Sequence, residues 1–193
     1  MPRAIYLTHP EVNVDLNVAV PDWGLNDIGQ ARVAALVARV SGGGWQVASS
    51  TERKALEMAW PLAACLGQAP VSIRHDLGEN DRSSTGFLKE SAFQTAANAF
   101  FGAPDVSYKG WERAVDAQAR IVGAVQDLTS DCPNDNLVVC GHGGVGTLLY
   151  CALVGVPMDR QWDQKGGGHW FAFDTRTLTP ENHWQPMETL VLN

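Results

Sequence analysis

Two short apolar runs in this chain end abruptly at a histidine, and that pattern restricts the fold more than any other feature of the sequence. The first is Ile5-Tyr6-Leu7, followed by Thr8, His9 and Pro10; the second, far later, is Leu137-Val138-Val139-Cys140, followed by Gly141, His142, Gly143 and Gly144. Bulky residues in a short run favour a packed strand, and Pro10, with no N–H to give to a ladder, stops the first one. Each histidine therefore sits at the carboxyl end of a strand. In open α/β sheets that edge gathers loops from several strands and is where ligands bind.

The rest of the chain alternates between helical and strand-like patterns. Asn26 is placed to cap a helix reaching about Val40, with Val33, Leu36, Val37 and Val40 on one face. Trp45 to Ala48 reads as a strand, and Ser49, Ser50 and Thr51 supply hydroxyls suited to cap a helix from about Glu52 to Leu66, which Pro61 should kink or split. Val71 to Ile73 is a short third strand. Residues 76–110 follow as a polar, lid-like insertion, weakly helical over Phe87 to Phe101, before a well-patterned helix from Trp111 to about Leu128. The run Leu137 to Cys140 leads through glycines into a helix ending near Val154; His169 to Asp174 and Thr189 to Leu192 are late edge strands. Strands alternating with helices predict an α/β fold, a mostly parallel, twisted sheet with helices on both faces.

Composition narrows the partners. A chain of 193 residues, 45% hydrophobic, can bury one sizeable core, so residues 1–193 are read as a single domain. The net charge of -7 has its acids scattered and no Lys/Arg run, which argues against nucleic acid and anionic membrane surfaces. The start Met-Pro-Arg has no signal-peptide pattern and no apolar run approaches the ~20 residues of a membrane span, so the expected location is cytoplasmic. Cys65, Cys132, Cys140 and Cys151 lack CxxC spacing and fall mostly in apolar segments, reading as buried free thiols rather than a metal site.

The architecture names no chemistry, so the strand ends must. A neutral imidazole can attack phosphorus, and the phosphohistidine so formed can be hydrolysed. One histidine, a ring of cations and one carboxyl acid thus suffice for phosphoryl transfer without metal or cofactor. His9 fits the nucleophile, Glu79 the acid that protonates the leaving oxygen, and Arg53 with a protonated His142 the clamps on the phosphate. The amides of Gly143 and Gly144, at a helix start, add anion-binding donors. Gly141-x-Gly143-x-x-Gly146 also matches the dinucleotide-binding fingerprint formally. It sits too late in the chain, and no strand ending in an acid follows about 20 residues on.

These segments resemble, in order, the motifs of the histidine phosphatase superfamily, the phosphoglycerate mutase-like proteins. Thr8-His9-Pro10-Glu11 stands where that family has Arg-His-Gly-Glu, and Leu25 to Ala31 resembles its Leu-Thr-x-x-Gly-x-Gln-Ala pattern. Ser49 to Ala55 resembles Ser-Ser-x-x-x-Arg-Ala with its second phosphate-binding arginine, Leu77-Gly78-Glu79 the segment carrying the acid, and Val139 to Gly144 the second-histidine motif. The resemblance spans residues 3–154. It implies a three-layer α/β/α fold and a metal-free phosphatase working through a phosphohistidine on His9. It also implies a small phosphorylated metabolite, or a phosphate or sulfate anion, as ligand; a homodimer is compatible with it. Mutase chemistry is disfavoured, because no extended insertion shields a phosphoenzyme from water.

Two departures bear on activity. The family's first arginine is Thr8, and a hydroxyl supplies neither a guanidinium's charge nor its forked donors; losing one preorganised donor of this kind costs on the order of 100- to 1,000-fold in rate. The family's glycine is Pro10, which removes a backbone N–H. Arg82 is the candidate replacement cation, with Arg74 and Lys54 as weaker ones, and Asp15 or Asn17 falls where the family has a phosphate-touching asparagine. The alternative reading is a family member that has lost turnover and binds a phosphorylated ligand or protein.

Overall fold

The computed structural model describes residues 2–67 and 71–192. The first apolar run becomes β1 (Arg3–Thr8), whose side chains alternate between two cores: Ala4 and Tyr6 face one, Ile5 and Leu7 the other. Asn26 caps α1 (Asp27–Val37) as its position predicts, its side chain accepting from Gly29 N at 2.9 Å while its amide donates to Val12 O at 3.3 Å. Asn26→Ala is expected to cost about 1 kcal/mol, read as a shift in the denaturation midpoint.

β2 (Trp45–Ser50) leads into α2 (Arg53–Cys65), which continues through Pro61 as one helix. Met58, Ala59 and Leu62 are buried against the sheet there, the Met58 and Leu62 side chains contributing about 1.5–3 kcal/mol each, enough together to offset the backbone bond that proline removes. The cap on α2 differs from expectation: its N-cap is Glu52, and Ser50 Oγ accepts from Glu52 N at 3.2 Å. After β3 (Ser72–Arg74) come α3 (Glu90–Gly102), α4 (Ala114–Asp131), β4 (Asn136–Gly141) and α5 (Gly143–Val154). β5 (His169–Asp174) and β6 (Gln185–Pro186) complete the chain's strands among the described residues.

The sheet order is β3-β2-β4-β1-β5-β6, with β3, β2, β4 and β1 mutually parallel and β5 antiparallel to both β1 and β6. One core lies under α3, α4 and α5, the other under α1 and α2, so both faces are covered. β1 and β4 are central neighbours in register, Thr8 opposite Gly141, which brings the two strand-ending histidines to one edge.

One late strand is corrected. Thr189 to Leu192 does not pair; Met187–Thr189 is a 3-10 turn, and the tail lies along α1, with Ser41 N donating to Leu192 O at 3.0 Å. Leu190 and Leu192 are buried and Val191 is exposed, so the alternation imitated a strand without a ladder partner. Of the cysteines, Cys140 and Cys151 are buried as expected, whereas Cys65 is exposed; all four are free thiols. No helix of the described residues is long and apolar enough to cross a membrane.

Candidate active site

His9 follows β1 directly. Its N–H donates to Gly141 O at 3.1 Å and its carbonyl accepts from Gly168 N at 2.9 Å, fixing the backbone between β4 and the loop before β5. Ring Nδ1 lies 2.8 Å from Pro10 O. A carbonyl can only accept, so Nδ1 carries the proton and Nε2 keeps its lone pair. Burial first, then the neighbouring His142, press the His9 pKa down to about 3. The ring is therefore neutral at physiological pH.

The His142 ring stands edge-on to His9, with 5.3 Å between ring centroids. Tyr6 fixes its backbone: the phenol accepts from His142 N at 3.1 Å and donates to His142 O at 3.2 Å. His142 Nε2 is 2.7 Å from Ser50 Oγ and 3.4 Å from Glu52 Oε1. Burial lowers the His142 pKa, against the opposing pull of Glu52 and Glu79. Its Nδ1 is buried and makes no hydrogen bond among the described residues.

Below the histidines lies a buried charge pair. Lys54 Nζ meets the Glu52 carboxylate and donates to Val20 O at 2.9 Å, while Glu52 Oε1 accepts from Glu79 N at 2.8 Å. Burial raises the Glu52 pKa, but His142, Lys54 and the Glu79 amide outweigh it and bring it down to about 2.

Glu79 reaches the start of α5. Its Oε2 accepts from Gly144 N at 3.1 Å and its Oε1 from Val145 N at 3.0 Å, so the two oxygens of the Glu79 carboxyl satisfy two of the free N–H groups of that helix. The loop carrying it is held by Arg120 of α4, which donates to Asp76 O and Gly78 O, both at 2.9 Å, and pairs with Glu112 at 2.8 Å. Sequence reading missed Arg120, because an arginine in an amphipathic helix reads as a solvated residue.

A cavity of about 360 Å³ opens over His9, Glu79, Gly143 and Gly144. Segment 76–110 supplies one wall, with Phe93, Phe100 and Phe101 of α3 and then Trp111 beside it. Arg82 lies on this wall, its guanidinium 5.0 Å above the Phe93 ring and in no ion pair among the described residues. Arg160 also lines the cavity, hydrogen-bonded to Gln94 Oε1 at 2.6 Å and Asn98 Oδ1 at 2.9 Å.

The other cations lie elsewhere. Arg53 is not brought to the cavity: its side chain is 63% exposed and pairs with Glu57 at 2.7 Å. One position along a helix turns a side chain by about 100°, so Lys54, the basic residue immediately before Ala55, is the one that faces inward. The motif's own spacing, which puts the basic residue directly before alanine, carried that signal. Arg74 is taken up by Asp76 and Asp127. Asp15 and Asn17 bond each other in a local turn, Asn17 N to Asp15 Oδ1 at 2.9 Å, and do not line the cavity.

Thr8 is fully buried. Its hydroxyl accepts from His169 N at 2.9 Å and donates to Gln164 Oε1 at 2.7 Å.

The sequence pattern of the histidine phosphatase superfamily (branch 1) matches residues 9–169. The chain belongs to that superfamily. Among solved structures of the same fold, the mycobacterial glucosyl-3-phosphoglycerate phosphatase with inorganic phosphate superposes with a TM-score of 0.77 at 18% identity, covering 98% of this chain and 100% of that one. A mutant phosphoserine phosphatase from Entamoeba histolytica in complex with phosphoserine gives 0.77 at 16% identity, with the same coverage. YhfR of Bacillus stearothermophilus gives 0.74 at 20%, over 94% and 95% of the two chains. Identities this low show the shared fold. No curated protein sequence matches the chain.

Proposed function

We propose that this histidine phosphatase relative hydrolyses a small phosphomonoester through a phosphohistidine on His9, using only its own side chains. The observation that carries the reading is the His9 imidazole: neutral, its proton committed to Pro10 O, its bare Nε2 beside a cavity that Glu79 also lines. In the first step the Nε2–phosphorus bond forms and the ester P–O bond breaks, the leaving oxygen taking the proton of the Glu79 carboxyl. Water then attacks phosphorus, giving its proton back to Glu79 and releasing His9 and inorganic phosphate. The Gly143 amide and Arg82 line the cavity and are the groups we assign to the phosphate oxygens, His142 lies fully buried edge-on to His9, and the aromatic wall gives the leaving group an apolar surface.

A second reading, a pocket that binds a phosphorylated ligand without turnover, is favoured by the loss of both arginines: Thr8 stands for one, and Lys54, already paired with Glu52, for the other. Incubation with a radiolabelled phosphomonoester and quenching in alkaline detergent, where phosphohistidine survives, separates the two. Label on His9 together with released phosphate supports the esterase; binding with neither label nor release supports the second reading.

A further inference from the structure

The oxyanion end of the cavity is ringed by side-chain amides. Gln164 has its Oε1 held by Thr8, a bond that turns its Nε2 toward the first residue of α5: a Cβ built on Gly143 would lie 2.5 Å from that nitrogen. Gln164 Nε2 has no hydrogen-bond partner among the described residues. On the other side Asn80 is 7% exposed and approaches Gly144, where a Cβ would lie 3.2 Å from its Oδ1. Asn80 Nδ2 is buried and makes no hydrogen bond among the described residues, although the residue lines the cavity over His9. Leaving a buried donor unpaired is costly, so the buried Asn80 amide, facing the half-buried Gln164 amide across consecutive glycines beside a nucleophile, is a donor arranged for an acceptor.

We propose that Gln164 and Asn80 are phosphate-reading side chains of this protein, adding neutral amide donors beside Arg82 where Thr8 supplies no guanidinium, with Thr8 as the positioning residue that orients Gln164. This rests on the reading of the cavity as a phosphate site and deepens it. The chain does not lack a partner at position 8; it has exchanged a charged, forked donor for a hydroxyl and amide relay whose two members lie 156 positions apart in sequence. The recognised group is a tetrahedral oxyanion that accepts hydrogen bonds without demanding charge neutralisation. The exchange also makes position 8 and position 164 interdependent, since an arginine at 8 needs the space that Gln164 fills.

The test measures affinity for inorganic phosphate on the full chain by calorimetry, with turnover followed separately. Gln164→Ala and Asn80→Ala are each expected to weaken phosphate binding about tenfold, and Gln164→Glu, close in shape but anionic, more than that. Thr8→Val should weaken it although no charge changes, and Thr8→Ser should restore it, a rescue that loss of packing alone would not give. Thr8→Arg alone should gain nothing, whereas Thr8→Arg with Gln164→Ala should bind phosphate at least tenfold tighter than wild type. Circular dichroism establishes that each variant is folded; Gln164→Glu and Thr8→Ser keep the test decisive should the alanine variants misfold. Unchanged affinity in the Gln164 and Asn80 variants overturns the inference while leaving the His9 chemistry standing. Normal amide dependence without phosphoryl transfer to His9 supports the inference and overturns the esterase reading. No phosphate binding by wild type overturns both.

Discussion

His9→Ala is expected to lower phosphate release by at least about a thousandfold and to abolish alkali-stable label, because no other side chain over the cavity combines a bare nitrogen with access to the ligand. The pH dependence is the sharper part. With its pKa pressed to about 3, the His9 imidazole remains an unprotonated nucleophile at pH 4. An ordinary histidine, near 6.5, would by then have lost roughly 300-fold of its neutral form. Quench-flow measurement of phosphoryl capture from pH 4 to pH 7, corrected for the substrate's own ionisation, should therefore change by no more than a few-fold. The same burial that depresses the pKa predicts that opening the cavity, for example by Phe100→Ala, moves the acidic limb of the profile upward toward neutrality. A limb near pH 6.5 in the wild type would mean that water reaches the ring freely and that the neutral-nucleophile argument fails.

Much of this was legible in the sequence because it depends on local pattern. An apolar run stopped by a proline or a glycine must end, and two such runs in a parallel sheet end at the same edge, so His9 and His142 were placed together without any knowledge of contacts. Asn26 was legible for the same reason: a helix cap is read within four residues. The failures are equally physical. Arg53 and Lys54 differ by one position, and on a helix that is the difference between solvent and core. Thr189 to Leu192 alternates like a strand, yet a strand also needs a ladder partner, which no local pattern reports. Gln164, Asn80 and Arg120 were invisible because their significance lies in what they meet: Thr8 across the sheet edge, the start of α5, and the carbonyls of the Glu79 loop. A polar residue in a loop looks solvated until the fold supplies its neighbours.

The buried Glu52 and Lys54 pair links the stability of the fold to the site. Lys54→Met is expected to cost about 3–5 kcal/mol, because it leaves the Glu52 carboxylate enclosed with its ion-pair partner removed. Much of that loss should return in Lys54→Met with Glu52→Gln, since a glutamine carbonyl still accepts from Glu79 N and no charge remains to be buried. Urea denaturation of the four proteins in the cycle measures both terms. Glu52 also sets a direction for pH. Its folded pKa, about 2, lies below the ordinary value of 4.5, so the native state binds its proton less readily than the unfolded chain. The stabilisation it gives is complete above about pH 5 and is lost as the pH falls toward 2, by about 3 kcal/mol at most. The Glu52→Gln protein should lack that part of the acid-induced loss, and an identical acid profile for the two would mean that the carboxylate is already solvated in the native state. Because Glu52 also receives the Glu79 amide and stands 3.4 Å from His142, protonating it releases the loop that carries the proposed acid and removes the charge facing the second histidine. Acid should therefore weaken phosphate capture before it unfolds the chain, the site loosening from its buried floor upward.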